Sequence, residues 1–322
     1  MMKNYLLFSL LAASFVACGQ YTPTTWVFGQ GGGLRFEANG TISPVNGSPI
    51  NSMEGSSVMT DQQGNLLFYT DGRTVWDRNH QPMPSGNYNT GTGLAGDPSS
   101  VQAAVIVPWP ATAGKYIIFT TDEPHHTNAE SFPDAYAGSY SDPVGNVPLD
   151  DDGLNNGLNY SVVDMAANGG NGDVVLRNVH LITYDVNNIA ERKYKCSEML
   201  AAVANAQGSG YWVVTHFKER FYTFEVSGAG VNNQAVVTQI GPEVPVSGYR
   251  RNGIGSLKFS PDGKKIAVAY HQRGTVTGAR SENGSLYLFN FDRQQGTLSG
   301  QVAIAQNSNP YSAEFSRSGR YL

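Results

Sequence analysis

Apolar and polar residues alternate with a period of two along most of this chain, in short runs broken by turn-forming residues. The clearest run is Ser256 to Tyr270, SLKFSPDGKKIAVAY. Leu257 and Phe259 share one side, and Lys258 and Ser260 share the other. Pro261 fixes φ at the first corner of a turn, Asp262 can bond back to the backbone, and Gly263 accepts a left-handed conformation. Ile266, Val268 and Tyr270 then restart the alternation with only Ala267 and Ala269 opposite them. A strand that is apolar on both sides predicts cover on both sides. The same words return at Ser312 to Leu322, SAEFSRSGRYL, where Phe315 matches Phe259 and Gly319 matches Gly263.

Three other runs start in the same way: Ser57 to Asp71, Ala104 to Asp122 and Ala202 to Thr215. A hairpin unit repeating at about 50 residues predicts an all-β fold, a β-propeller of four-stranded antiparallel blades. Thr25 to Val45 aligns with Leu288 to Val302, Phe36 falling on Phe291 and Ile42 on Leu298. That segment reads as the outer half of a blade whose inner half is not beside it. The gap between the starts at Ala104 and Ala202 is double length, and it fits either two short units or one unit with an insertion. The insertion is the preferred reading, over residues 123–159 of the second blade, because the stretch is turn-forming with little strand pattern. The repeat at Ser312 stops two or three residues into its second strand, so the expected architecture is incomplete. It comprises about four full blades, one split N-terminal half-blade and one truncated start. The rival is a five-bladed ring in which Ser312 to Leu322 completes the blade begun at Thr25.

Composition supports turn-rich antiparallel sheets. Gly is abundant at 37 residues, there are 17 Tyr and 14 Phe, and charged residues make up only 15%. A net charge of −5 with no basic run argues against a nucleic-acid partner. Lys3 followed by the apolar run Tyr5 to Ala17 has the form of a signal peptide, residues 1–19, leaving 20–322 for the propeller. That run is too short to span a bilayer comfortably, and no other transmembrane segment is expected. Cleavage before Gln20 gives a soluble product; alternatively Val16-Ala17-Cys18 resembles a lipoprotein box, with Cys18 acylated as a lipid anchor. Either way the chain is expected to be exported, to the extracellular space or the outer-membrane surface. Cys196 is then alone, which leaves no disulfide framework and no thiolate metal cluster.

The runs TTWVFGQGGGLRF, MEGSSVMTDQQGNLLFYTDGRTVWDRNHQPMPSG, GLNYSVVDMAANGGNGDV, YWVVTH and LKFSPDGKKIAVA together resemble the N-terminal propeller of large Bacteroidetes surface proteins. These are the gliding-motility-associated proteins exported by the type IX secretion system. The likeness runs over residues 25–322 in matching order. It implies a cell-surface or secreted location and a binding role with a protein or glycan partner.

Candidate chemistry is sparse. Asp150, Asp152 and Asn155 place side-chain oxygens along a glycine-containing turn, as calcium loops do, although the bidentate Glu of an EF-hand is replaced by Ser161. A solvated acidic turn is the preferred explanation of these residues, and no other cofactor is expected. His125 and His126, beside Asp122 and Glu123, have zinc-ligand chemistry, but adjacent side chains in an extended loop point apart. Thr70 to His80 gathers Asp71, Arg73, Trp76, Asp77, Arg78 and His80; the structural reading is a turn at Asp71-Gly72, with Trp76 packed between blades. Glu54, Asp71, Arg73 and His216 are the candidates for the rim or the channel. No catalytic constellation is recognised, and no GxSxG elbow, phosphate loop or HExxH occurs. The expectation is therefore a non-catalytic binding or scaffold module. The alternative is an extracellular propeller hydrolase or lyase acting on polysaccharide or peptide, which would need Glu54, Asp71, Asp122 and His216 to converge in a cleft.

Overall fold

A computed structural model describes residues 24–124, 156–246, 249–274 and 283–322. Period-two runs become strands wherever a turn residue lets the chain double back. The first sheet is β1 (Thr25–Phe28), β2 (Gly32–Phe36) and β3 (Ile42–Pro44), and the second is β4 (Ser57–Thr60), β5 (Leu66–Thr70) and β6 (Val75–Asp77). The third has β7 (Ala104–Pro108), β8 (Lys115–Thr121), β9 (Leu158–Asp164) and β10 (Asp173–Leu181). In the fourth, β11 (Leu200–Ala204), β12 (Tyr211–Phe217) and β13 (Arg220–Ser227) are followed by β14 (Gly230–Val231) and β15 (Val236–Gln239), both paired to β13. The fifth is β16 (Gly255–Phe259), β17 (Lys265–Tyr270), β18 (Gly284–Asp292) and β19 (Thr297–Ser308). Among the described residues α-helix is confined to two short segments, α1 (Ile189–Tyr194) and α2 (Tyr249–Gly253), neither long enough to cross a membrane.

Paired strands are antiparallel, and the first strands of the second to fifth sheets lie side by side, β4 by β7, then β11 and β16, with β1 against β4. Sheets stacked around a common set of inner strands are the blades of a β-propeller. The core lies between blades, because both faces of each sheet are apolar. Phe119, Val162, Val213, Phe224, Ile266, Val268 and Phe289 are all buried in one continuous cluster.

The repeat reproduces itself bond for bond. In the turn after β16, Ser260 N–H donates to Lys265 O and Gly263 N–H to Ser260 O. After Ser312 the same pair recurs, Ser316 N–H to Tyr321 O and Gly319 N–H to Ser316 O. Gly263 and Gly319 both hold positive φ, at 70° and 69°. The second copy lies against the first: Ser256 Oγ bonds Ser312 Oγ at 3.1 Å, 56 residues apart, and Lys258 pairs with Glu314 at 3.2 Å. The alignment of the N-terminal segment is also real, since Phe36 stands opposite Ile42 as Phe291 stands opposite Leu298. β1–β3 thus correspond to β17–β19, the three outer strands of a blade.

Among the described residues, closure of the ring is not seen. Trp26 and Phe28 on the first blade are 51% and 43% exposed, and Val302 and Ile304 on the fifth are similarly open. Ile266 and Val268, which match Trp26 and Phe28 by register on the fifth blade, are buried. The expected insertion joins β8 to β9, but its calcium and zinc candidates, Asp150, Asp152, Asn155, His125 and His126, lie outside the described residues.

One side chain ties the inner strands together. The Gln102 amide accepts from Leu200 N–H at 3.1 Å and Leu257 N–H at 2.8 Å, and donates to Leu257 O at 3.0 Å. It stands in for a peptide unit along inner edges that have no strand to pair with. Gln102→Ala would leave three backbone groups without that partner. We expect a loss of about 2–4 kcal/mol, read as a lower midpoint in urea denaturation.

Candidate functional site

Antiparallel pairing puts the start of every first strand and the end of every second strand at the same end of the blades. The residues that lead into β4, β7 and β11 and follow β5, β8 and β12 therefore share one mouth. Glu54 precedes β4, Asp97 to Gln102 precede β7, and Glu198 precedes β11; Asp71 and Arg73 follow β5, and Asp122 and Glu123 follow β8. Tyr311 enters from the segment after the fifth blade, and its hydroxyl bonds the Glu54 carboxylate.

Glu198 is the centre of this group. It is only 1% exposed, and its Oε2 accepts from Val101 N–H at 3.0 Å. Burial pushes its carboxyl well above the usual range, and the charges of Glu123, Glu54 and Asp97 push it the same way, against the Val101 amide. Burial also raises the Tyr311 hydroxyl, followed by its bond to Glu54. The mouth therefore sets a buried acid that favours its protonated form close to the exposed carboxyl of Glu54 and the half-buried carboxyl of Glu123.

The sequence-based candidates divide. Glu54 stands at the mouth, just ahead of β4. Asp71 caps its own turn, with Oδ1 accepting from Arg73 N–H at 2.9 Å and Thr74 N–H at 2.8 Å; burial raises its carboxyl against those amides. Arg73 is buried and forms a salt bridge with Asp97, and it also lies over the Tyr88 ring at 5.0 Å. Their role is to hold the turn beneath the mouth. Arg73→Ala would leave Asp97 buried without its ion partner, at a cost of about 3–5 kcal/mol; thermal denaturation of the variant measures it. Trp76 packs between blades, stacked on Tyr69 at 5.4 Å in a cluster with Val27 of the first sheet.

His216 is not at the mouth. It is fully buried, with its ring edge-on to Phe221 at 4.7 Å and Tyr270 at 5.0 Å, and burial lowers it to about 3. His216, which the hydrolase alternative would need beside Glu54, Asp71 and Asp122, is instead packed against Phe221 and Tyr270. Glu198 is the residue missed. Its signal was positional: it stands just ahead of an inner strand, as Glu54 does. Cys196 is buried, with its thiol pushed well up by burial and then by Asp122. Among the described residues, no group of three or more His, Cys, Asp or Glu is arranged to hold a metal ion.

The fold and this mouth define a β-propeller. No protein-family model matches the chain, and no curated protein matches it. Solved structures do. The periplasmic gluconolactonase of Pseudomonas aeruginosa aligns at 13% identity and TM-score 0.39, over 88% of this chain and 64% of its own. The exo-β-1,3-galactanase of Phanerochaete chrysosporium aligns at 10% and 0.33, over 87% and 54%. The β-propeller domain of Cps50 from Myceliophteria thermophila aligns at 10% and 0.33, over 92% and 91%. This chain thus spans less than two thirds of the gluconolactonase and just over half of the galactanase. At these identities the likeness reaches the fold alone. It nevertheless corrects one expectation. Structures of this shape include a lactonase and a galactanase, so the fold gives no ground for excluding catalysis, and the non-enzyme reading is withdrawn.

Proposed function

We propose that this protein is an exported β-propeller of the cell surface or secreted space that binds an extracellular polysaccharide at its carboxyl-lined mouth and hydrolyses it. The observation that carries the reading is the unlike pair of environments at one site. Glu198 is buried and favours its protonated form, and the exposed carboxyl of Glu54 is near enough to raise it further. A buried acid that favours its protonated form, with a second carboxyl beside it, is what acid-assisted glycoside hydrolysis needs. Glu198 would give its proton to the leaving oxygen as the glycosidic bond breaks. Glu54 or Glu123 would take a proton from the water that adds to the sugar carbon. The signal-peptide pattern at the N-terminus supports export, and the resemblance to gliding-motility-associated surface proteins supports a surface location and a glycan partner.

The test is a screen of the purified protein against extracellular polysaccharides for released reducing ends, and against peptide libraries for cleavage, with Glu198→Gln run in parallel. Sugar release by the wild type that the variant lacks supports the proposal. Peptide cleavage in place of sugar release would reassign the substrate. Ligand retention without turnover, equal in both proteins, would overturn the hydrolase.

A further inference from the structure

Between the fourth and fifth blades, several buried polar groups converge that have no role at the mouth. His216, near the end of β12, is fully buried, and none of the described residues bonds either of its ring nitrogens. Tyr270, at the end of β17, is fully buried with no partner for its hydroxyl among the described residues. The two rings face one another across the seam with centroids 5.0 Å apart. Ser285 stands directly opposite Tyr270 in the β17–β18 register, hence on the same sheet face, and its buried Oγ is also unpartnered. The His216 backbone is already engaged, since Ser197 Oγ donates to its carbonyl. What remains is side-chain capacity alone.

A neutral imidazole carries one donor and one acceptor, and a phenol can do both. Buried groups of this kind are almost always hydrogen-bonded, and the usual partner when protein supplies none is ordered water. The rest of the wall is apolar: Phe221 packs on His216, and the Tyr270 hydroxyl end lies against Gly241, where a Cβ would come within 3.5 Å of it. A water within reach of the His216 ring and the Tyr270 hydroxyl would have the two partners that a buried water needs at the least. We propose that the seam between the fourth and fifth blades is a buried water site, in which ordered water bridges His216 to the Tyr270 hydroxyl. The seam is then a hydrated joint within a dry core. It is independent of any reaction at the mouth.

Two measurements decide it. A crystal structure of the wild-type protein at neutral pH, at a resolution that shows ordered solvent, should have a water peak within hydrogen-bond reach of a His216 nitrogen and the Tyr270 hydroxyl. A seam without such a peak overturns the proposal. Denaturation of His216→Phe, Tyr270→Phe and the double variant reads the energetics. Removing one partner of a bridging water strands the other, so each single change should lower the urea midpoint and the double should recover part of the loss. In a dry seam each change deletes an unsatisfied group, so both singles would raise the midpoint and their effects would add. That outcome would equally overturn the water site.

Discussion

Glu198→Gln is expected to cut turnover of the polysaccharide substrate by about 10²–10⁴-fold, the usual contribution of a positioned general acid. KM should change little. The substitution is isosteric, and an amide can still accept from the Val101 N–H that now serves Oε2. The fold should survive, and with it ligand binding. A second readout separates catalysis from structure. Glu198 is raised by burial first, then by Glu123, Glu54 and Asp97, so it is the protonated form that the folded protein favours. The sign of its linkage follows: the folded state holds this proton more tightly than the unfolded state does. The stability tied to it is fully present at low pH and is lost as pH rises from the ordinary Glu range through the raised folded value. Activity should fall along the same alkaline limb, because the deprotonated acid has nothing to donate. In Glu198→Gln the alkaline stability loss should shrink, measured by thermal denaturation across pH. Unchanged turnover in the variant would remove Glu198 from the mechanism.

The second large effect lies on the acid side. His216 is held neutral, lowered from 6.5 to about 3 chiefly by burial, with the Arg220 charge adding to it. His180 is lowered to about 4 by burial, then by Lys195. Here the unfolded chain binds protons that the folded protein refuses. The stability they contribute is complete above pH 6.5 and is lost as pH falls toward the folded values. At about 1.4 kcal/mol per unit, His216 alone would cost about 5 kcal/mol by pH 3. That is a large share of the stability of a typical domain. Denaturation midpoints from pH 7 to pH 4 should therefore fall steeply for the wild type. The slope should be shallower for His216→Phe, whatever that change does at neutral pH. Equal slopes would show that His216 is not held neutral in the folded protein. The aromatic groups against its ring are Phe221 of β13 and Tyr270 of β17, and Arg220 is the charge that lowers it. That charge is itself engaged by Glu191.

How the chain makes a blade was legible in its letters, because the determinants are local. Alternation decides which residues share a sheet face, and Asp262-Gly263 decides where the chain reverses. Both act over a few residues, so the turn bonds at Ser260 and Gly263 recur at Ser316 and Gly319. Even the distant match of Phe36 with Phe291 came out as a shared register, Phe36 opposite Ile42 and Phe291 opposite Leu298. Asp71 and Arg73 were legible as turn chemistry, and Asp71 does cap the turn.

The mouth was much less legible. His216 and Thr215 are adjacent in one strand, so their side chains leave opposite faces of the sheet, and an error of one residue exchanges channel for core. Thr215 bonds the Met199 carbonyl, while His216 enters the seam against Tyr270. Glu198 looked like one acid among the 26 Asp and Glu residues of the chain. Nothing local marks it, because its properties come from elsewhere: Val101 binds it, burial removes it from water, and Glu54 and Glu123 arrive from two other blades. By itself, then, the sequence determined the repeating unit, its strands and its turns, since period-two alternation and turn stereochemistry are short-range. Only the tertiary structure decided which acids meet at one end of the blades and which histidine is shut away from water. Desolvation and Coulomb interaction depend on distance in space, and blade stacking sets those distances.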